Sequence, residues 1–93
     1  MKKMVIKDWF QNKVSKEMGI RVCGFTPVAV SKESEKAYYI TMIYCTLNGG
    51  WHQKSMWIPK SCIEESDKVN EVKFVESYEE ASAIAQNEIA MAS

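Results

Sequence analysis

His52 is the only histidine of the chain, and Cys23, Cys45 and Cys62 are its only thiols. They are the natural donors for a soft metal. No C-x₂-C or H-x₃-H spacing groups them, and the ligands would come from distant segments, so no metal and no cofactor are expected. The same residues could make a nucleophile and base. Cys45 lies in an apolar run, where burial keeps a thiol protonated and inert. Cys62 lies in a more polar stretch beside Lys60, which makes it the best candidate for a reactive thiol, yet no spacing fixes a base beside it. A small thiol-dependent enzyme using Cys62 or His52 is therefore the third alternative. The carboxylate pairs Glu64-Glu65 and Glu79-Glu80 sit in polar stretches and read as solvated surface, because acid–base work needs one carboxyl in an apolar pocket. Gly49-Gly50 lacks the following lysine and helix of a phosphate loop. The residues point to a chain that is not an enzyme.

The aromatic residues carry more. The stretch 38–57 holds Tyr38, Tyr39, Tyr44, Trp51 and Trp57, with Lys36, Lys54 and Lys60 nearby. Aromatic faces beside lysines can stack the bases of a single strand. Trp and Tyr also dominate protein–protein hot spots. Tyr38, Tyr44, Trp51, His52, Lys54, Trp57 and Lys60 are accordingly the candidate binding residues. At least half of the aromatic residues are expected in the core, since a small domain relies on them for buried area.

Glu35-Lys36-Ala37, followed by Trp57-Ile58-Pro59-Lys60-Ser61 and Ile63, resembles a pattern of small proteins of phages and mobile elements, "Glu-Lys-Ala … Trp-x-Pro-Lys-Ser". The match covers roughly the middle third of the chain. The resemblance implies a phage- or plasmid-borne accessory protein that binds a host or phage protein. Inhibition of a defence system such as CRISPR is one such role.

These residues need elements to hold them. Residues 8–18 read as a helix with Asp8 as N-cap and Gly19 as the residue that ends it. Met4-Val5-Ile6 before it reads as a short lead-in strand or a flap. Residues 20–30 look extended, with Pro27 marking an edge or bulged strand. Residues 37–47 are the strongest strand signal. Tyr38, Ile40, Met42 and Tyr44 alternate with Tyr39, Ile43, Cys45 and Leu47, so both faces are apolar, as in a central strand covered on both sides. Asn48-Gly49-Gly50 is the hairpin turn. Residues 51–58 return, and Pro59 stops them. Residues 60–68 read as a loop with one helical turn near Ser61–Glu64. Residues 69–75 read as a half-exposed final strand, open to pairing with a second copy. Ser77-Tyr78-Glu79-Glu80 is a capping box that opens a helix to about residue 91. The expected fold is α+β: an antiparallel meander of 3–4 strands with an N-terminal and a C-terminal helix over one face.

The chain has 93 residues, which fits one domain, 1–93. Hydrophobic residues make up 46% and charged residues 26%, an ordinary globular balance. No apolar run reaches the ~18 residues of a membrane span. The start shows no secretory leader, and an odd cysteine count is no disulfide framework, so a cytoplasmic location is expected. The zero net charge hides two blocks. Residues 1–60 carry 10 basic and 4 acidic side chains, and residues 61–93 carry 2 and 8. Neutrality argues against a generic coat on duplex DNA but leaves a local anionic partner open. The leading reading is a non-catalytic accessory protein that binds another protein. A single-stranded nucleic-acid binder using the 38–57 hairpin is the alternative.

Overall fold

A computed structural model describes residues 2–67 and 71–92. The order is β1 (Lys2–Ile6), α1 (Asp8–Met18), β2 (Val22–Glu33), β3 (Ala37–Thr46), β4 (Trp51–Pro59), one 3₁₀ turn (Lys60–Cys62), β5 (Ile63–Glu65), β6 (Glu71–Phe74) and α2 (Tyr78–Ala92). The fold is α+β as expected, but the sheet is larger than expected. Six strands run in the order β4-β3-β2-β6-β1-β5. All neighbours are antiparallel except β2 and β6, which pair in parallel at Ala29↔Lys73 and Val30↔Phe74. The sheet is therefore mixed, and the local meander is only its β2-β3-β4 half.

The sheet must curl. Six strands spaced about 4.8 Å apart would put β4 and β5 about 24 Å from each other if flat. Only the three residues Lys60–Cys62 join these two edge strands. A 3₁₀ turn of that length rises about 6 Å. Curling brings the ends of the sheet together, and Lys7 N donates to Cys62 O at 2.8 Å, which continues the β1–β5 ladder into the turn.

The helices cover opposite faces, not one face as expected. Phe10 and Val14 of α1 join Met4, Ile6, Ile40, Met42, Ile58 and Val72 in the larger core. Ala81 and Ala85 of α2 join Val28, Ala29 and Ile43 in a second core. β3 feeds both, so its two apolar faces have the physical meaning assigned to them. Gln11 fastens α1 in place: its amide Nε2 donates to Ile6 O at 2.7 Å, and Phe25 N donates to its Oε1 at 2.9 Å.

Other expectations are narrowed or corrected. Of strand or flap, Met4-Val5-Ile6 is a strand, part of β1, between β6 and β5. Of edge or bulge, the Pro27 strand is interior and irregular. It tolerates proline because β6 reaches only Ala29 and Val30, and the ladder with β3 is irregular between Pro27 and Ala29. β6 is also interior, so it offers no edge to a second copy; residues 68–70 of that segment lie outside the described ones. The stretch read as loop after residue 62 begins with β5, paired through Ile6↔Ile63. α1 starts one residue earlier than the Asp8 cap requires, with Lys7 in the N-cap position. In α2, Glu80 N donates to Ser77 Oγ at 3.2 Å, the hydroxyl half of the capping box.

Gly19 ends α1 at φ 70°, with its N–H shared between Ser15 O and Lys16 O. No atom lies within 4 Å of where a Cβ would stand. Gly19→Ala thus costs only left-handed strain, about 1 kcal/mol. The expected result is a Tm lower by about 4–8 °C in thermal unfolding.

Candidate binding surface

The β3–β4 hairpin holds most of the predicted site, so its register decides which side chains meet. Pairs run from Ala37↔Pro59 to Cys45↔Trp51 without a break. Gly49 at φ 86° makes the turn. Even-numbered residues share the α1 face and odd-numbered residues the α2 face.

The seven predicted residues do not form one platform. Tyr38 and Tyr44 are buried in the larger core. Tyr44 is wedged between Phe25 and His52, with ring centroids 5.3 and 5.5 Å away. Tyr38 meets Phe74 edge-on, and Lys60 Nζ lies 4.7 Å from its ring centre. Neither ring is an open stacking face. His52 is exposed and Lys54 half-buried on the same side. Trp51 and Trp57 point to the opposite face. Trp51 packs beside the α2 core, while Trp57 is 46% exposed.

The α2 face sets Trp57 beside residues that the sequence reading passed over, Tyr39 and Lys32. Trp57 packs at a tilt against its cross-strand neighbour Tyr39, with ring centroids 5.4 Å apart, and Lys32 Nζ lies 5.8 Å from the Tyr39 ring centre. Lys32, Tyr39 and Trp57 follow one another across β2, β3 and β4. The turn position alone predicts the Tyr39–Trp57 pair, since a fixed turn fixes every cross-strand neighbour. The Lys32 contact is not predictable, because the β2–β3 ladder shifts register between Val30 and Lys32. Farther along, Gln53 ties β4 to α2: its Nε2 donates to Ser82 Oγ at 3.0 Å, and Gln86 Nε2 donates to its Oε1 at 2.7 Å.

The backbone of β4 is the most distinctive part of this surface. β4 is an edge strand of nine residues. Thr46 N donates to Gly50 O at 3.0 Å, and Lys60 N donates to Lys36 O at 2.8 Å. Both contacts fall in the ladder's register and bracket it. Hydrogen-bonded pairs alternate in an antiparallel ladder. His52, Lys54, Met56 and Ile58 therefore bond inward to β3. Trp51, Gln53, Ser55 and Trp57 turn their N–H and C=O outward. Pro59 falls in the outward set, so its missing N–H costs the ladder nothing.

At the hairpin tip a groove of about 590 Å³ is lined by Ile20, Arg21, Tyr44, Thr46, Leu47, Asn48 and His52. Ile20 and Leu47 are exposed at 41% and 66%. Among the described residues the one ion pair is Lys60 Nζ to Glu33 Oε2, at 2.6 Å. That hydrogen bond raises the Lys60 pKa above its ordinary value, with partial desolvation opposing it. The pair is complete at neutral pH and is lost as pH rises through the raised pKa. Arg21 and Lys54 form no ion pair among the described residues.

The thiols are placed differently from the expectation. Cys62 is buried, because the 3₁₀ turn directs it into the larger core, whereas Cys23 is exposed. Among the described residues no three His, Cys, Asp or Glu side chains gather as a metal site would need. Among them also, no helix is long and apolar enough to cross a membrane. In comparisons with protein families, curated proteins and solved structures, nothing matches this chain.

Proposed function

We propose that the chain is a non-catalytic accessory protein that binds another protein by taking an extended segment of it along the outer edge of β4. One observation carries this reading: the outward N–H and C=O groups of Trp51, Gln53, Ser55 and Trp57. Strand addition draws affinity from such main-chain groups and selectivity from alternate side chains. Trp51 and Trp57 flank the edge as apolar anchors. A phage or mobile-element setting, with a host protein as partner and a defence system such as CRISPR as target, rests on the Trp-Ile-Pro-Lys-Ser resemblance alone.

The test is affinity purification with two variants at one position. Trp57→Pro deletes an outward amide without touching an inward ladder bond, and Trp57→Ala removes the ring but keeps the amide. With circular dichroism confirming the fold, Trp57→Pro abolishes capture of the partner and Trp57→Ala weakens it. Capture unchanged by Trp57→Pro overturns the reading.

The Lys32–Tyr39–Trp57 row favours a second reading, a single-stranded nucleic-acid binder. A solvent-facing aromatic pair beside a cation can stack bases. Binding to oligothymidylate would then fall steeply with salt and vanish in Tyr39→Ala. No binding at low salt removes this alternative.

A further inference from the structure

We infer that the segment received by β4 is acidic, with carboxylates at alternate positions on the side facing α1. The inference rests on the strand-addition reading above. A strand laid outside β4 continues the pleat, so every second side chain would lie beside His52, Lys54 and Met56. Lys54 is half-buried there, opposite Met42. Its stem can lie along apolar surface while its ammonium reaches the rim. No carboxylate of the described residues pairs with it.

Two positions farther along the same face stands His52, which lines the groove shared with Arg21. Arg21 likewise has no ion-pair partner among the described residues. The edge thus presents Lys54 and then His52, at the spacing of alternate residues on one strand face, with Arg21 in the groove that His52 lines. An incoming acid-x-acid sequence would place one carboxylate against each. The exposed Ile20 and Leu47 give the same groove an apolar wall, which suits a large apolar residue next in the alternation. The side facing α2 offers Trp51, Gln53, Ser55 and Trp57, a neutral row.

A second copy of the chain fits this edge poorly. The two-fold antiparallel register that pairs all the outward groups sets Trp51 against Trp57 and Gln53 against Ser55. It also sets Lys54 directly opposite the Lys54 of the other copy. Like charges in facing positions destabilise an antiparallel pair, and a lysine on an edge guards against such self-pairing.

The experiment measures fluorescence polarisation of labelled peptides of alternating glutamate and valine, or lysine and valine, on the full chain at low salt. The glutamate peptide is expected to bind about tenfold more tightly than the lysine peptide, the scale of two facing charge pairs. Lys54→Gln is expected to erase about half of that preference in free energy, and Lys54→Glu nearly all of it, both keeping the fold. Equal affinity of both peptides, with both lost in Trp57→Pro, overturns the acidic inference and leaves strand addition standing. Binding of neither peptide, with oligothymidylate binding instead, overturns both. Dimerisation by analytical ultracentrifugation that survives Lys54→Glu and blocks peptide binding also overturns the inference.

Discussion

Tyr44→Ala is expected to lower the unfolding free energy by about 3–5 kcal/mol, as removing a buried aromatic ring does. Tyr44 is 8% exposed and sits in the larger core with Phe25 against one side of its ring and His52 against another. The truncation loses the ring's burial and both aromatic contacts, which carry energy beyond their area. The cavity opens toward the groove at the hairpin tip, so the structure can collapse into it only in part. Urea unfolding followed by circular dichroism checks the value. The consequence for function is practical. A binding defect in Tyr44→Ala reports loss of fold, whereas a defect in Trp57→Ala reports the surface. A stability change below about 1 kcal/mol would mean that the ring is not wedged as described.

Ile40→Ala is expected to cost about 2–5 kcal/mol. Ile40 has no exposed surface and lies midway along β3, opposite Met56 of β4 and Val30 of β2. Each neighbour is held in a ladder, so little backbone can move in to fill the gap. For a domain of this size the whole unfolding free energy is only about 5–15 kcal/mol. Ile40→Ala should therefore remove a large share of that stability and lower the urea midpoint accordingly. Ile40→Val, which removes one methylene, should cost about 0.5–1.5 kcal/mol and keep the fold. Similar losses for the two variants would mean that the core at Ile40 relaxes freely.

The local half of the fold was legible. Two apolar faces on residues 37–47 announced a strand buried on both sides, and Asn48-Gly49-Gly50 placed the turn that fixes the β3–β4 register. Gly19 and Ser77 marked real helix ends. The non-local half was not legible. β5 has three residues, too few for alternation to register, whereas β6 falls inside the strand read over residues 69–75. Nothing in Val72 or Phe74 says that their strand inserts beside β2, and in parallel. The candidate residues fared likewise. Spacing put Tyr38 and Tyr44 on the same strand as Tyr39, but only the curl shows which side is enclosed. Pro27 marks an irregular ladder, as one of its two readings has it, but it does not say that the strand is interior, where a short neighbour leaves room for it. Arg21, Ile20 and Leu47 come together only across the α1–β2 connection and the hairpin tip, a meeting that no spacing encodes.

The parallel pairing of β2 with β6 also sets the order in which the chain can complete itself. The β2–β3–β4 meander joins neighbours in sequence and can form as soon as residue 59 is available. The pairing Ala29↔Lys73 closes across nearly half the chain, and β1 cannot join β2, β3 and β4 in the sheet until β6 lies beside it. Contacts of such long sequence separation are slow to form, because loop closure comes before any gain. During synthesis from the N-terminus, β1 emerges first yet is joined to the rest of the sheet only through β6, near the other end of the chain. In that interval the inner edge of β2, with Ala29 and Val30, stands open. An open strand edge in a partly folded chain invites association, and here β6 closes it only when the C-terminal part of the chain arrives.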